Sequence, residues 1–193
     1  MSPMRHALTL HPDSSCEAVT LIEVDVVRPR PRALLLRYCV TGKPSELRLP
    51  PLTSSFRADE LWRRTCFEAF VRGPGDDAYY EFNFAPSTQW AAYRFTGYRS
   101  GMSAPGEMAA PVIEVRSTER RFELQASLDL EPLTGLPGDG PWRLGLSTVI
   151  QEASGRISYW ALAHPPGKPD FHHADGFAYE VPETPEPLNL ERP

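Results

Sequence analysis

LWRRTCFEAFVRGPGDDAYYEFNFAPSTQWAAYRFTGYRSGM, residues 61–102, decides how the rest of the chain is read. CFEAFV (66–71), YYEFNF (79–84) and QWAAYRF (89–95) alternate with a period of two and carry the aromatics that strands favour. RGPGDDA and APST between them hold the Gly, Pro, Asp and Ser that turns require. The pattern predicts three antiparallel strands joined by two hairpins. Pairing Glu68 with Glu81, and Asn83 with Trp90, puts both hairpins in register. Phe67, Ala69, Val71, Tyr80, Phe82, Phe84, Ala91, Tyr93 and Phe95 then share an uncharged face. Cys66, Glu68, Phe70, Tyr79, Glu81, Asn83, Trp90, Ala92 and Arg94 share the other. Like charges directly across a ladder destabilise it, so Glu68 and Glu81 call for Arg94, Arg99, a proton, a metal ion or a ligand. A salt-bridged or solvated sheet face and a binding surface are both open on these residues.

Outward from this unit the same period recurs. AVTLIEVDVV (18–27) places Thr20, Ile22, Val24 and Val26 on one face, and ALLLRYCV (33–40) follows the turn RPRPR. Residues 6–11 form a short first strand and 46–49 a weak one before Pro50-Pro51. FRADELWRR (56–64) is the one stretch with a helical turn, with Trp62 packing there. After the long loop 97–111, residues 111–117 form a strand. RFELQASLDL (121–130) points Phe122, Leu124, Ala126, Leu128 and Leu130 inward, a sheet covered on one side. WRLGLSTVIQ (142–151) and ISYWALA (157–163) form a hairpin, and 177–181 is the last strand. About ten short strands without βαβ alternation predict an all-β fold, an antiparallel β-sandwich with at most one short helical turn. One domain spans 1–181. PETPEPLNLERP (182–193) has the Pro/Glu-rich composition of a disordered tail.

The 193 residues suffice for one core, and a hydrophobic share of 41% places the chain among globular proteins. Its 21 prolines argue against a helical bundle. A net charge of −5 without a basic run argues against a nucleic-acid footprint. No segment approaches the ~20 apolar residues of a membrane helix. No secretory signal is visible at the start, and Cys16, Cys39 and Cys66 are isolated and odd in number. Free buried thiols and a cytoplasmic location are expected.

GxSxG, P-loop, GxGxxG, HExxH, CxxC and CxxCH patterns are absent, which removes the usual metalloprotease, NTPase, dinucleotide and c-type haem readings. HPPGKPDFHHADG (164–176) gathers His164, His172 and His173 with Lys168, Asp170 and Asp175. Adjacent His172 and His173 point apart on an extended chain, so the loop suits ligand contact better than one metal ion. Trp90, Tyr93, Tyr98, Tyr159 and Trp160 are candidate stacking surfaces for sugar rings, or ordinary core residues. The assumed register makes Tyr93 core and Trp90 the platform. Tyr98-Arg99 opens the loop after the third strand, and the Arg99 fork suits a carboxylate. Met102 and Met108 lie in the same loop, and a Met opposite a His can ligate haem iron.

Three blocks, LWRRTCFEAFV, YYEFNFAPSTQWAAYRFTGYRSGM and SYWALAHPPGKPDFHHADGF, resemble a bacterial group of DOMON-like proteins similar to type 9 carbohydrate-binding modules. The resemblance spans roughly residues 8–181. It implies a β-sandwich that binds sugars or haem without catalysing a reaction, with tryptophans flanking a sugar or a Met and a His on iron. Trp90 and the pair Met102 and His172 are the positions that match best.

The expected function is non-catalytic binding of a small ligand, a carbohydrate or sugar-like metabolite, with no cofactor. The ligand-binding set is Glu68, Glu81, Asn83, Trp90, Arg94, Tyr98, Arg99, Trp160, His164, Lys168, Asp170 and His172. Haem on Met102 and His172 is one alternative. A glycoside-active enzyme using Glu68 and Glu81 is the other, although directly opposed carboxylates stand too close for an inverting mechanism. A guanidinium of Arg94 or Arg99 is expected within ~4 Å of Glu68 or Glu81, beside Trp90 at the mouth of the largest pocket.

Overall fold

The computed structural model describes residues 4–106 and 108–182. The Pro/Glu-rich segment expected to be disordered lies, after Pro182, outside the described residues. The described residues form eleven strands: β1 Met4–Leu10, β2 Val19–Val27, β3 Ala33–Gly42, β4 Cys66–Arg72, β5 Tyr79–Phe84, β6 Trp90–Phe95, β7 Val112–Ser117, β8 Arg121–Asp129, β9 Trp142–Gln151, β10 Ile157–Ala161 and β11 Tyr179–Val181. All pairings between them are antiparallel.

One sheet runs β7-β8-β3-β2-β1 and the other β1-β10-β9-β4-β5-β6, with β11 on the first residues of β9. β1 belongs to both. Met4 to Leu8 pair with β2, whereas Thr9 and Leu10 pair with Ala161 and Trp160 of β10. The sheets face one another across a core in which the Phe67 ring stacks on Phe122 at 5.8 Å. The Tyr38 hydroxyl crosses the core to donate to the Glu68 carbonyl oxygen at 2.7 Å.

Alternation fixes the registers. Phe122, Leu124, Ala126 and Leu128 of β8 are buried while their neighbours are partly or fully exposed. A one-residue slip would bring those four to the surface, at ~1.5–3 kcal/mol for each large side chain. Thr20 departs from the expected face of β2. An irregularity between Val19 and Leu21 takes it out of the alternation, and its hydroxyl donates to the Thr41 carbonyl. The weak strand expected at 46–49 is a 3-10 turn, Pro44–Glu46, followed by a single bridge from Leu47 to Glu152. Pro44 fits the first turn position, and Pro50-Pro51 have no N–H to extend a ladder. The helical turn is confined to Leu61–Arg63, and Trp62, expected to pack, is half exposed.

β4 and β5 are buried on both faces from Cys66 to Val71 and from Tyr79 to Phe84, as their neighbour β9 is from Leu144 to Ile150. Their inner face joins the sandwich core. Their outer face carries a second apolar cluster of Phe70, Tyr79, Ala91, Tyr93, Phe95 and Phe177, roofed by loop residues. The polar groups among them are therefore neither solvated nor in the main core.

Candidate functional site

The hairpin registers differ from those expected, each in its own way. β4 pairs with β5 so that Glu68 faces Asn83 and Phe70 faces Glu81. That is a two-residue slip, which keeps both carboxylates on the outer face but sets them diagonally rather than opposite. β5 pairs with β6 so that Glu81 faces Tyr93 and Phe84 faces Trp90. That is a one-residue slip, and it exchanges the faces of β6. Trp90 and Ala92 join the sandwich core, while Ala91, Tyr93 and Phe95 join the outer cluster. The cause is the connection. Thr88 N–H donates to the Ala85 carbonyl, and Ala85 N–H donates to Gln89, so three residues rather than two sit in the loop. Thr88 occupies the left-handed region at φ 74°, completing a turn followed by a bulge.

Glu68 and Glu81 form the floor of the outer face, 3% and 5% exposed. One Glu68 oxygen accepts from the Ser147 hydroxyl on β9 at 3.2 Å. The other, Oε1, is buried with no hydrogen-bond partner. Glu81 accepts from Asn83 Nδ2 at 2.6 Å, and Asn83 Oδ1 in turn faces the Cys66 thiol at 3.6 Å. Burial pushes the Glu68 carboxyl well above the usual carboxylate range, and the neighbouring Glu81 pushes it further. Glu81 is raised too, chiefly by burial, with the Asn83 hydrogen bond and the positive field of Arg99 opposing. The expected ion pair is absent among the described residues: neither Arg94 nor Arg99 reaches these carboxylates.

The loop after β10 supplies the next layer. It lies close because β9 has Gly145 opposite Phe70; a Cβ there would stand 3.0 Å from the Gly176 carbonyl oxygen. This approach delivers His172, whose ring packs edge-on against Phe70 and Phe95. Arg99 N–H donates to the Tyr79 hydroxyl at 3.3 Å, and that hydroxyl is hydrogen-bonded to His172 Nδ1 at 2.8 Å. The other ring nitrogen, Nε2, faces Glu81 Oε2 at 3.7 Å. Burial brings the His172 pKa down to about 4, with Arg99 adding to the effect and Asp170 opposing it, so the ring is neutral at physiological pH.

Asp170 ties this loop to the one after β6. It accepts from the Arg99 guanidinium at 2.8 Å, the Tyr98 hydroxyl at 2.5 Å and the His172 backbone N–H at 3.1 Å. Burial raises its pKa, but the Tyr98 and Arg99 contacts outweigh this and hold it below the ordinary value. Arg99 sits at φ 49°, a left-handed conformation at the tip of a tight turn closed by Gly97 and Ser100. Strain of this kind persists where surrounding contacts fix it, and here the guanidinium and the backbone N–H are both engaged.

A cavity of about 1110 Å³ opens above the carboxylates. Tyr93, Phe95, Tyr159 and Phe171 wall it, and Trp62, Arg63 and Met102 stand at its rim. Of the residues expected to bind ligand, Glu68, Glu81, Arg99 and His172 line it. Asn83, Tyr98 and Asp170 stand behind them as supports. Five others are placed elsewhere. Trp90 is core, for the reason given above. Trp160 is 6% exposed in the same core, its indole N–H on the Ser158 hydroxyl, because its register on β10 points it inward. Arg94 has the inward parity of Trp90 and Ala92, and its backbone pairs with Ser103. His164 turns to β1, bonding the Thr9 carbonyl at 2.8 Å, and Lys168 is exposed outside the lining. Phe95, Phe171, Trp62 and the rim pair Arg57 and Asp59 were not legible as site residues. Tyr93 and Tyr159 are the walls that the sequence names as candidate stacking surfaces, although the assumed register assigns Tyr93 to the core.

Met102 and His172 both line the cavity. Both ring nitrogens of His172 are already engaged, Nδ1 with the Tyr79 hydroxyl at 2.8 Å and Nε2 beside Glu81 Oε2 at 3.7 Å, so as they stand the pair does not offer iron a free imidazole nitrogen. Among the described residues no group of three His, Cys, Asp or Glu is placed to hold a metal ion. No described helix is long and apolar enough to cross a membrane.

No family model and no curated protein matches the sequence. Solved structures do match the fold. A candidate carbohydrate-binding protein from Bacteroides uniformis aligns with a TM-score of 0.63 at 15% identity, over 89% of this chain and 82% of that one. A family 9 carbohydrate-binding module from Caldicellulosiruptor kristjanssonii, solved with cellotriose, aligns at 0.54 and 11% identity over 86% and 75%. Its complex with glucose aligns at 0.54 and 12% over 93% and 84%. At these identities the likeness is one of fold, and the fold of this chain is that of the family 9 modules.

Proposed function

We propose that this chain is a non-catalytic small-ligand binding domain of the DOMON-like kind, and that its ligand is a carbohydrate or sugar-like metabolite seated above Glu68 and Glu81. One observation carries the reading. Glu68 lines an aromatic-walled cavity, and its Oε1 is buried without a protein partner. A buried polar atom without a partner costs roughly 1–3 kcal/mol, and a ligand hydrogen bond is what would offset that cost. Carboxyl groups beside aromatic rings suit a ring that is apolar on its faces and hydroxylated at its edge. The fold likeness to modules solved with cellotriose and glucose supports the same class. Two buried free thiols support a reducing compartment, in keeping with a cytoplasmic location. Calorimetric titration with neutral mono- and disaccharides tests the reading: binding that Tyr159→Ala weakens supports it, and no heat with any sugar overturns it.

A second reading, glycoside hydrolysis, gains from the register. Diagonal neighbours on adjacent strands stand about 7 Å apart, near the spacing inverting enzymes use. It requires one of the two carboxyls to stay ionised as a base. Turnover of chromogenic glycosides, abolished in both Glu68→Gln and Glu81→Gln, is the result that would establish it.

A further inference from the structure

The charges around the cavity are not evenly matched. Each arginine of its lining already has a carboxylate: Arg57 pairs with Asp59 at 3.3 Å, Arg63 with Glu60 at 2.7 Å, and Arg99 with Asp170 at 2.8 Å. The floor is different. Glu68 and Glu81 receive hydrogen bonds from Ser147 and Asn83, both neutral, and face His172, also neutral. Among the described residues neither carboxyl has a cationic partner within an ion-pair distance, and Glu68 Oε1 has no partner of any kind. The remaining polar groups nearby offer no positive charge. The Cys66 thiol faces Asn83, Tyr38 bonds the Glu68 carbonyl from the core side, and Tyr93 gives its hydroxyl proton to Asp59.

From this we infer that the ligand carries a protonated amino group, seated between Glu68 and Glu81, on a ring-sized body held by the aromatic walls: an amino sugar rather than a neutral one. The inference rests on the reading of the cavity as a ligand site. An ammonium offers three donors and no acceptor, which suits a floor made of acceptors. Its charge is welcome beside aromatic faces, and Tyr93, Phe95, Tyr159 and Phe171 all line the cavity. A carboxylate or phosphate group would meet two acids, and a neutral hydroxyl would satisfy Oε1 while leaving the pair without a counter-charge.

The proton balance gives a signature that packing alone would not produce. In the free protein, burial and the neighbouring Glu81 favour the protonated form of Glu68. An ammonium arriving there replaces that proton: the carboxylic acid and the cation become a carboxylate–ammonium pair, and one proton leaves to solvent. Binding therefore tightens about tenfold per pH unit while Glu68 is protonated in the free state and the amine stays charged.

The experiment is calorimetric titration of the full chain with D-glucosamine, D-glucose, N-acetyl-D-glucosamine and cyclohexylamine. It is run in two buffers of different ionisation enthalpy, with Glu68→Gln and Glu81→Gln alongside and thermal melts confirming that each variant folds. The expected result is that glucosamine binds at least about tenfold more tightly than glucose, with a proton released. Both variants should lose the preference, read as the ratio of glucosamine to glucose affinity within each variant. Equal affinity for glucose and glucosamine, or tightest binding of the N-acetyl sugar, overturns the inference and leaves the carbohydrate reading intact. Cyclohexylamine binding with no sugar binding upholds the cationic ligand and overturns the carbohydrate reading. Silence with all four overturns both.

Discussion

Glu68→Gln should stabilise the protein, and by an amount that grows with pH. Glu68 is a carboxyl 3% exposed, its pKa raised by burial and then by Glu81. The folded value lies above the unfolded one, so the native state retains a proton that the unfolded chain has lost. Stability is fully present below the unfolded pKa and falls as pH rises towards the folded pKa, beyond which it is constant. Within that window one retained proton corresponds to ~1.4 kcal/mol per pH unit. Glutamine keeps the shape and can still meet Ser147, but it never ionises. The gap between variant and parent should be near zero in acid and widen by ~1.4 kcal/mol per unit, or ~3–5 °C in melting temperature for a chain of this size. Calorimetric or circular-dichroism melts of both proteins from about pH 4 to pH 8, without ligand, measure it. Glu81→Gln should show the same sign over a narrower pH window, because Asn83 and Arg99 favour the charged form there. A gap that does not change with pH, or a variant less stable throughout, would refute the assignment of a strained acid pair to the cavity floor.

The exchanged faces of β6 predict opposite behaviour for two tryptophans. Trp90→Ala should lose ~3–5 kcal/mol in denaturant unfolding, whereas Trp62→Ala should stay within ~0.5 kcal/mol yet weaken ligand binding. Asp170→Asn should loosen the loop over the site, seen as faster amide exchange at residues 170–173. Because the Asp170 pKa is lowered, the parent should show the same loosening only in acid, as pH falls through that depressed value. Gly145→Ala should cost ~1–3 kcal/mol by crowding the Gly176 carbonyl and should impair binding by lifting His172 from Tyr79.

Much of the scaffold was legible in the sequence because period-two alternation is a local signal. β8 reads correctly residue by residue, and the parity that brings Glu68 and Glu81 to one face survives a register error of two. The exchange of Trp90 for Tyr93 turned on Thr88. A left-handed loop position usually advertises itself with Gly or Asn, and threonine carries no such mark. The roof of the site was illegible for another reason. Arg99 meets Asp170 across 71 residues, and Tyr79 meets His172 across 93. Nothing in either loop names its distant partner. Trp62 misled because a tryptophan beside a helical turn reads as an anchor, although here it stands at a rim.

β1 has a consequence for how the chain reaches its native state. The Thr9 hydroxyl bonds the Ala161 carbonyl 152 residues away, and the same strand also completes the edge of the opposite sheet. The earliest of the described strands to be synthesised is thus among the last to find all its neighbours. β2, β3 and β8 can assemble beforehand, but the seam stays open until residue 161 has been synthesised. Contacts of such span are slow to form, and an unpaired strand end is prone to join a second chain in the interval. The seam is therefore where synthesis speed and chaperone occupancy would act on yield, independently of anything at the ligand cavity.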